Sequence, residues 1–361
     1  MTKATAKHIE IAPGRRIIAV SDIHGNLAYF KGLLEKLRFC ADDVLIIVGD
    51  FLEKGEESLK TLRFIMEMSK SFEVHTICGN WTEVLDNAQS FRIREYANHY
   101  LRARPQALLC QMCREAGYDP FENGTIDFAA LCARLSSNFR PELDFLRSLP
   151  TMVETSRHIF VHGGLPEGKR EDWTAYDCMK NDEFMKCGRR FSKWIIVGHW
   201  PVVLYHESIV NANPIINRES KIISIDGGCV LKDDGQLNAL IIPSVESDDF
   251  KADYYDSFPV LAASSAQRES TSSYYIRYGD SRVKVLEHGA EFCCCRHERT
   301  GYEMDILTKY LRRDAAGTFV NDCTDHILEV SPGDLLSVVE KTSRGYFVKR
   351  NGVSGWYYGQ F

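Results

Sequence analysis

The chain has no surplus of positive charge, no long apolar run and no internal repeat, and each absence removes a class of function. Its 361 residues carry 44 lysines and arginines against 50 aspartates and glutamates, a net charge of −6. Binding a nucleic-acid backbone calls for a basic excess that neutralises phosphates, so no nucleic-acid partner is expected. Any phosphate the protein handles is better held by metal than by a basic surface. No stretch reaches the roughly 20 apolar residues that span a bilayer, and residues 1–13 lack the apolar core of a signal peptide. We therefore expect no membrane partner and a cytoplasmic location. Hydrophobic residues at 44% and charged residues at 26% are ordinary for a globular chain. Twelve cysteines are present, several inside apolar runs, and they read as small buried hydrophobes rather than a disulfide framework. Cys110 and Cys113 have C-x-x-C spacing but no second ligand pair, and Cys293, Cys294 and Cys295 lie in a strand-like segment whose side chains alternate.

The first half alternates apolar strands with amphipathic helices, which predicts an α/β sheet. Strand-like runs 16–20, 44–48 and 72–77 are followed by further ones at 158–161, 194–197 and 222–225. The first run leads into a helix capped by Asn26, with Leu27, Phe30, Leu33, Leu34 and Leu37 on one face. Between Glu83 and Leu149 the pattern is helical and reads as an insertion of about 83–150. The acidic, serine-rich stretch 246–273 reads as a linker, which divides the chain into a catalytic domain at 1–245 and a β-rich domain at 274–361. In the latter, turn signals such as Asn351-Gly352 separate short strands, as in a small barrel of five or so strands.

Five strand ends share one signature. An apolar run stops at a metal-competent side chain beside glycine: Asp22 and His24, Asp50, Asn80, His162, His199. In open α/β folds such ends converge on one crevice, so these residues are expected to cluster. Carboxylate, amide and imidazole donors together suit manganese, iron or zinc better than magnesium or calcium. Asp50 is the candidate bridge between two divalent ions, manganese first and iron or zinc as alternatives, which would activate water against a phosphate ester.

These segments, Ser21-Asp22-Ile23-His24-Gly25, Gly49-Asp50-Phe51-Leu52-Glu53-Lys54-Gly55, Gly79-Asn80-Trp81, His162-Gly163-Gly164-Leu165 and Gly198-His199, resemble the calcineurin-like metallophosphoesterases. Within them the nearest group is the phosphoprotein (serine/threonine) phosphatases and their bacterial relatives. The resemblance runs from Arg15 to Ile242 and implies a four-layer β-sandwich flanked by helices. It further implies that Asp22 and His24 bind one metal, that Asp50 bridges, and that Asn80, His162 and His199 bind the other. Where relatives carry an arginine on the substrate phosphate and an aspartate behind the catalytic histidine, this chain has Lys54 and Glu53. Lys180 is the best match to a second phosphate-binding arginine. Trp81 stands where relatives have the histidine that protonates the leaving group, and indole cannot act as that acid. Glu53, Glu83 and His75 are the candidate substitutes. Segments 332–338 and 352–357 resemble bacterial SH3-like domains, which implies a peptide or glycan ligand. The alternative is a barrel whose Tyr346, Phe347, Trp356, Tyr357 and Tyr358 fill its own core.

The expected activity is hydrolysis of a phosphate monoester, on a phosphorylated protein or a small phosphoester, with phosphoserine and phosphothreonine foremost. The alternatives are hydrolysis of a nucleotide or dinucleoside polyphosphate, and a degenerate member that binds a phosphorylated partner without turnover.

Overall fold

The computed structural model describes residues 2–80, 99–122, 124 and 126–361. Two compact units divide it: one of residues 1–201, 214–231 and 235–256, the other of 202–213, 232–234 and 257–361.

In the first unit, strands β1 (Ala6–His8), β2 (Ile17–Val20), β3 (Val44–Val48), β4 (Glu73–Ile77), β5 (Met152–Glu154), β6 (His158–Val161) and β7 (Trp194–Val197) come first in the chain. After β8 (Val210–Asn211), which belongs to the second unit, follow β9 (Ile215–Asn217), β10 (Ile222–Ser224), β11 (Leu237–Ile242) and β12 (Lys251–Tyr255). They form a six-stranded sheet in the order β1-β5-β6-β7-β10-β9 and a five-stranded sheet in the order β12-β11-β2-β3-β4. β2, β3 and β4 run parallel, as do β6, β7 and β10.

Alternation along each strand assigns its residues to layers. Ile17 and Ala19 of β2 and Val44, Ile46 and Val48 of β3 pack with Val153, Phe160, Trp194, Ile196 and Ile223 between the sheets. Ile18, Val20, Leu45 and Ile47 point to the opposite face, onto Phe30 and Leu33 of helix α1 (Leu27–Lys36) and Leu62 and Ile65 of helix α2 (Ser58–Ser71). Both faces of these strands are buried, so each run is apolar throughout. The outer face of the other sheet, Ile159, Val161, Ile195, Val197 and Ile222, is covered by Leu165, Cys178 and Phe184. The two sheets thus pack face to face between outer helical layers, the layered arrangement that the resemblance implies. Asn26 caps α1 through its side-chain oxygen, which accepts from Tyr29 N at 3.1 Å.

The helical block includes α3 (Leu108–Glu115), α4 (Phe128–Asn138) and α5 (Arg140–Ser148), while α6 (Ala175–Met179) follows β6. The rest of that block, at 83–98, 123 and 125, lies outside the described residues. Cys110 and Cys113 are buried in α3, and burial pushes their thiols up to about 11 and about 12. Among the described residues no disulfide joins the cysteines, and eight of the twelve are buried.

The stretch 246–273, expected as a linker, holds ordered strands. β12 pairs antiparallel with β11, and the Phe250 ring lies 4.6 Å from Trp194. Ser247 N donates to Ser244 O at 2.9 Å, and Phe250 and Ala263 are buried. Val260–Ala262 is a strand of the second unit.

That unit is all-β apart from single turns. Its five-stranded sheet joins Val260–Ala262, Leu335–Lys341, Tyr346–Arg350, Val353–Tyr357 and β8. Smaller sheets complete it, including the three strands Val283–Glu287, Phe292–His297 and Glu303–Leu307. Cys293 and Cys295 face its core while Cys294 faces outward, so the three thiols cannot share one ion.

Candidate metal centre

The strand ends of the first unit do converge. The loop after β2 and the loop after β3 are tied backbone to backbone: Asp22 N donates to Gly49 O at 3.3 Å, His24 N to Asp50 O at 3.0 Å, Gly25 N to Phe51 O at 2.9 Å and Gly55 N to His24 O at 2.8 Å. Asp22, His24, Asp50 and His199 adopt positive φ of 54°, 50°, 41° and 67°, a left-handed conformation that non-glycine residues rarely take. Such strain persists where the surroundings over-determine it, and it gathers at functional sites. Gly198 and Gly79 permit the close approach. A Cβ on Gly198 would lie 2.3 Å from Asp22 Oδ2, and one on Gly79 would lie 2.1 Å from Asp50 Oδ1.

Two groups of side chains each bring ligand atoms within 4.8 Å of one another: Asp22, His24 and Asp50, and Asp50, His162 and His199. Asp50 belongs to both. His24 and His162 are fixed by their other ring nitrogen. His24 Nδ1 is 3.2 Å from Leu52 O and His162 Nδ1 is 2.9 Å from Val48 O, so each Nδ1 is the donor and Nε2 is left to face the centre. Asn80 Oδ1 lies 3.1 Å from His162 Nε2 and Asp50 Oδ2 lies 3.3 Å from it. The His162 and His199 rings are 5.2 Å apart. All six residues named from the sequence are therefore neighbours. Their mixed oxygen and nitrogen donors, with one carboxylate common to both groups, fit a dinuclear divalent centre.

Electrostatics fit the same purpose. Burial alone would lower the His162 pKa, yet Asp50 and Asp22 outweigh it and raise the imidazole to about 9. Burial works against Asp50, but His162 holds that carboxylate down at about 2. Burial and the Asp50 charge lift Asp22 to about 6. A centre that stores a proton between buried carboxylates and an imidazole is one where a cation can replace it.

The remaining expected residues fall in three places. Lys180 is at the centre, its Nζ 3.3 Å from His199 Nε2 and 2.7 Å from Asp182 Oδ1. Lys54 follows Asp50 in the same loop, and burial together with the Arg104 charge lowers its ammonium to about 8. Glu53 turns toward the helical insertion, accepting from Leu108 N and from the Tyr100 hydroxyl, each at 2.9 Å. His75 sits mid-strand in β4, 3.2 Å from both Lys7 Nζ and Glu73 Oε1, and is not in the centre. Trp81 and Glu83 lie outside the described residues.

Two further residues join the site. Asp182 Oδ1 lies 2.7 Å from His199 Nε2, which leaves Nδ1 of that ring for the centre. Asp226 is fully buried, accepts from Gly228 N at 2.8 Å, and is pushed to about 8 by burial and by the Asp22 charge. It stands after β10 beside two glycines, the signature of the other strand ends. Asp182 lies in a loop without such a signal.

The calcineurin-like phosphoesterase family profile matches residues 15–217, more than half of the chain. Among curated relatives, a symmetrical bis(5'-nucleosyl)-tetraphosphatase of Methylococcus capsulatus is 29% identical over 165 residues, 45% of this chain and 46% of that protein. The corresponding protein of Thioalkalivibrio sulfidiphilus is 43% identical over 65 residues, 18% of this chain and 23% of the relative. Shewanella-like protein phosphatase 2 of Arabidopsis thaliana is 26% identical over 183 residues, 42% of this chain and 46% of the relative. The chain thus matches less than half the length of each. A solved protein serine/threonine phosphatase of Saccharomyces cerevisiae superposes with a TM-score of 0.41 at 10% identity, covering 71% of this chain and 84% of that one.

Proposed function

The chain belongs to the calcineurin-like phosphoesterase family, and from that premise we propose that it hydrolyses a phosphoanhydride of the dinucleoside polyphosphate class. Asp22, His24 and Asp50 would hold one divalent cation, and Asp50, Asn80, His162 and His199 the other, with manganese first and iron or zinc as alternatives. Bound there, the cations would supply the Lewis acidity that activates water and offsets charge on the phosphoryl group. Asp182 orients the His199 ring, and Lys54 and Lys180 hold phosphoryl oxygens as point charges without the bidentate grip of arginine.

The observation that carries this reading is the residue after Gly79-Asn80. Trp81 cannot donate a proton, Glu53 has both carboxylate oxygens engaged in anchoring the insertion, and His75 is elsewhere. An alkoxide such as that of serine departs poorly without an acid, whose help is worth roughly 10²–10⁴-fold. A nucleotide phosphate departs as a stable anion and needs none. The names of two relatives point the same way. The second reading, hydrolysis of phosphoserine or phosphothreonine, is favoured by the order of the metal motifs and by the Arabidopsis relative.

With manganese, kcat/KM on diadenosine tetraphosphate should exceed that on a phosphoserine peptide by about 10²-fold or more, and Trp81→His should narrow the gap. Equal rates on both substrates in the unmodified enzyme would reverse the order of the two readings. For the C-terminal unit, a bound peptide or glycan remains our proposal, tested by titration of the full chain with each.

A further inference from the structure

The turn that leads into α3 is docked on the loop that carries Glu53 and Lys54. Tyr100 and Leu108 both donate to Glu53, and the Gln106 amide reaches Lys54 O at 3.5 Å. Arg104 stands between these anchors, in a turn closed by Ala107 N donating to Arg104 O at 2.9 Å. Its guanidinium lies 5.3 Å from the centroid of the Tyr100 ring. Among the described residues it forms no ion pair with a carboxylate. After burial, Arg104 is the largest influence on the Lys54 ammonium, ahead of Asp50. Two cations carried on segments docked in this way repel each other until an anion spans them.

We propose that Arg104 is a specificity-determining residue that, with Lys54, grips phosphoryl groups beyond the reacting one, so that the site favours a chain of several phosphates over a single phosphate. The proposal rests on the phosphohydrolase reading above and names what that site selects. Three observations support it. Lys54 follows Asp50 in the same loop, and Arg104 is held over the Tyr100 ring, whose hydroxyl binds Glu53, the residue before Lys54. A guanidinium offers a planar fork that can bind oxygens of neighbouring phosphates, which an ammonium cannot. The Tyr100 ring beneath that fork, itself tied to Glu53, holds the arginine in place before the ligand arrives, so less side-chain freedom is lost on binding.

The test uses the manganese-loaded full chain, with inorganic tripolyphosphate and inorganic phosphate as calorimetric ligands and diadenosine tetraphosphate and p-nitrophenyl phosphate as substrates. Arg104→Met keeps an apolar stem on Tyr100 and removes the charge, and Arg104→Lys restores the charge without the fork. In Arg104→Met, tripolyphosphate affinity should fall about tenfold or more, while phosphate affinity changes by less than about threefold, because charge-assisted bonds are lost only to the longer ligand. KM for the tetraphosphate should rise with kcat little changed, both constants for p-nitrophenyl phosphate should hold, and Arg104→Lys should fall between. Equal losses on short and long ligands, or no loss on tripolyphosphate, would overturn the proposal. Should Arg104→Met not fold, Arg104→Gln read on the same ligands decides it. Tripolyphosphate binding needs no turnover: an enzyme that cleaves neither substrate but binds tripolyphosphate through Arg104 sinks the phosphohydrolase reading alone. One that cleaves the tetraphosphate regardless of Arg104 sinks this inference alone.

Discussion

Holding Asp22, His24, Asp50 and His199 at positive φ costs on the order of 1–2 kcal/mol for each. The fold accepts that cost at four positions around one point. Asp50 is the sharpest probe because it alone belongs to both ligand groups. Asparagine tolerates the left-handed conformation, so Asp50→Asn keeps the backbone while removing the charge that two cations would share. We expect lower thermal stability in the metal-free protein, because the buried His162 imidazolium loses the carboxylate that holds its proton, together with loss of bound metal after dialysis and a fall in kcat/KM of about 10³-fold or more. Full metal content with a rate within tenfold of the parent would take Asp50 out of the site. The six candidate ligands were legible in the sequence because each ends an apolar strand next to glycine. Asp226 carries the same signature and could have been found by it. Asp182 and Arg104 could not, since they sit in loops whose direction is set by contacts distant in sequence.

The turns between strand and helix are the working elements of this fold, and glycine sets how closely they approach. Gly198→Ala would push a methyl group to within 2.3 Å of Asp22 Oδ2, which also accepts from His199 N at 3.0 Å. The loop after β7 must then withdraw from the loop after β2, and metal occupancy and turnover should both fall at least tenfold. Unaltered metal stoichiometry in that variant would show that the loops have room to spare. Strand β6 makes a separate prediction through His158, which is fully buried at its start, its backbone N donating to Thr155 Oγ1 at 2.9 Å and its Nδ1 lying 3.2 Å from the same hydroxyl. Burial, with Arg157 adding, lowers this imidazole to about 4. An unfolded chain takes up the proton near pH 6.5 and the fold does not, so stability is whole above that pH and is lost as pH falls toward 4. The loss reaches about 3 kcal/mol at most. Urea midpoints of chelated protein at pH 7 and pH 4.5 should differ less in His158→Phe than in the parent, and an equal difference would assign the acid sensitivity elsewhere. Helix and strand positions were readable from periodicity, whereas the 246–273 stretch reads as a linker because its acidic residues and serines outnumber the few residues, Phe250 above all, that anchor it.

At the scale of the molecule, the boundary between units was legible only in part, because 202–213 and 232–234 join the C-terminal unit from within the first. β8 pairs with Val353–Tyr357 across more than a hundred residues of sequence, a non-local choice that local pattern does not encode. The candidate centre is non-local in the same sense. Asp22, Asp50 and Asn80 follow strands of one sheet, while His162 and His199 follow strands of the other, so a cation held by Asp50 and His162 ties the two sheets together. Removing it leaves Asp22, Asp50 and Asp226 buried as neighbours. A ligand present at about 1,000 times its Kd stabilises the fold that binds it by about 4 kcal/mol, so chelation should lower the unfolding midpoint of the full chain by several degrees. The pH dependence has a definite sign. Metal-free His162 keeps its proton up to about 9, and a metal requires the neutral ring, so binding below that pH expels a proton and tightens as pH rises. At fixed free manganese, the stabilisation over chelated protein should therefore be larger at pH 8 than at pH 7, by up to about 1.4 kcal/mol for one proton. A stabilisation that is flat across this range, or that shrinks as pH rises, would mean that the cation does not compete with the His162 proton and that the two sheets are joined by some other pair.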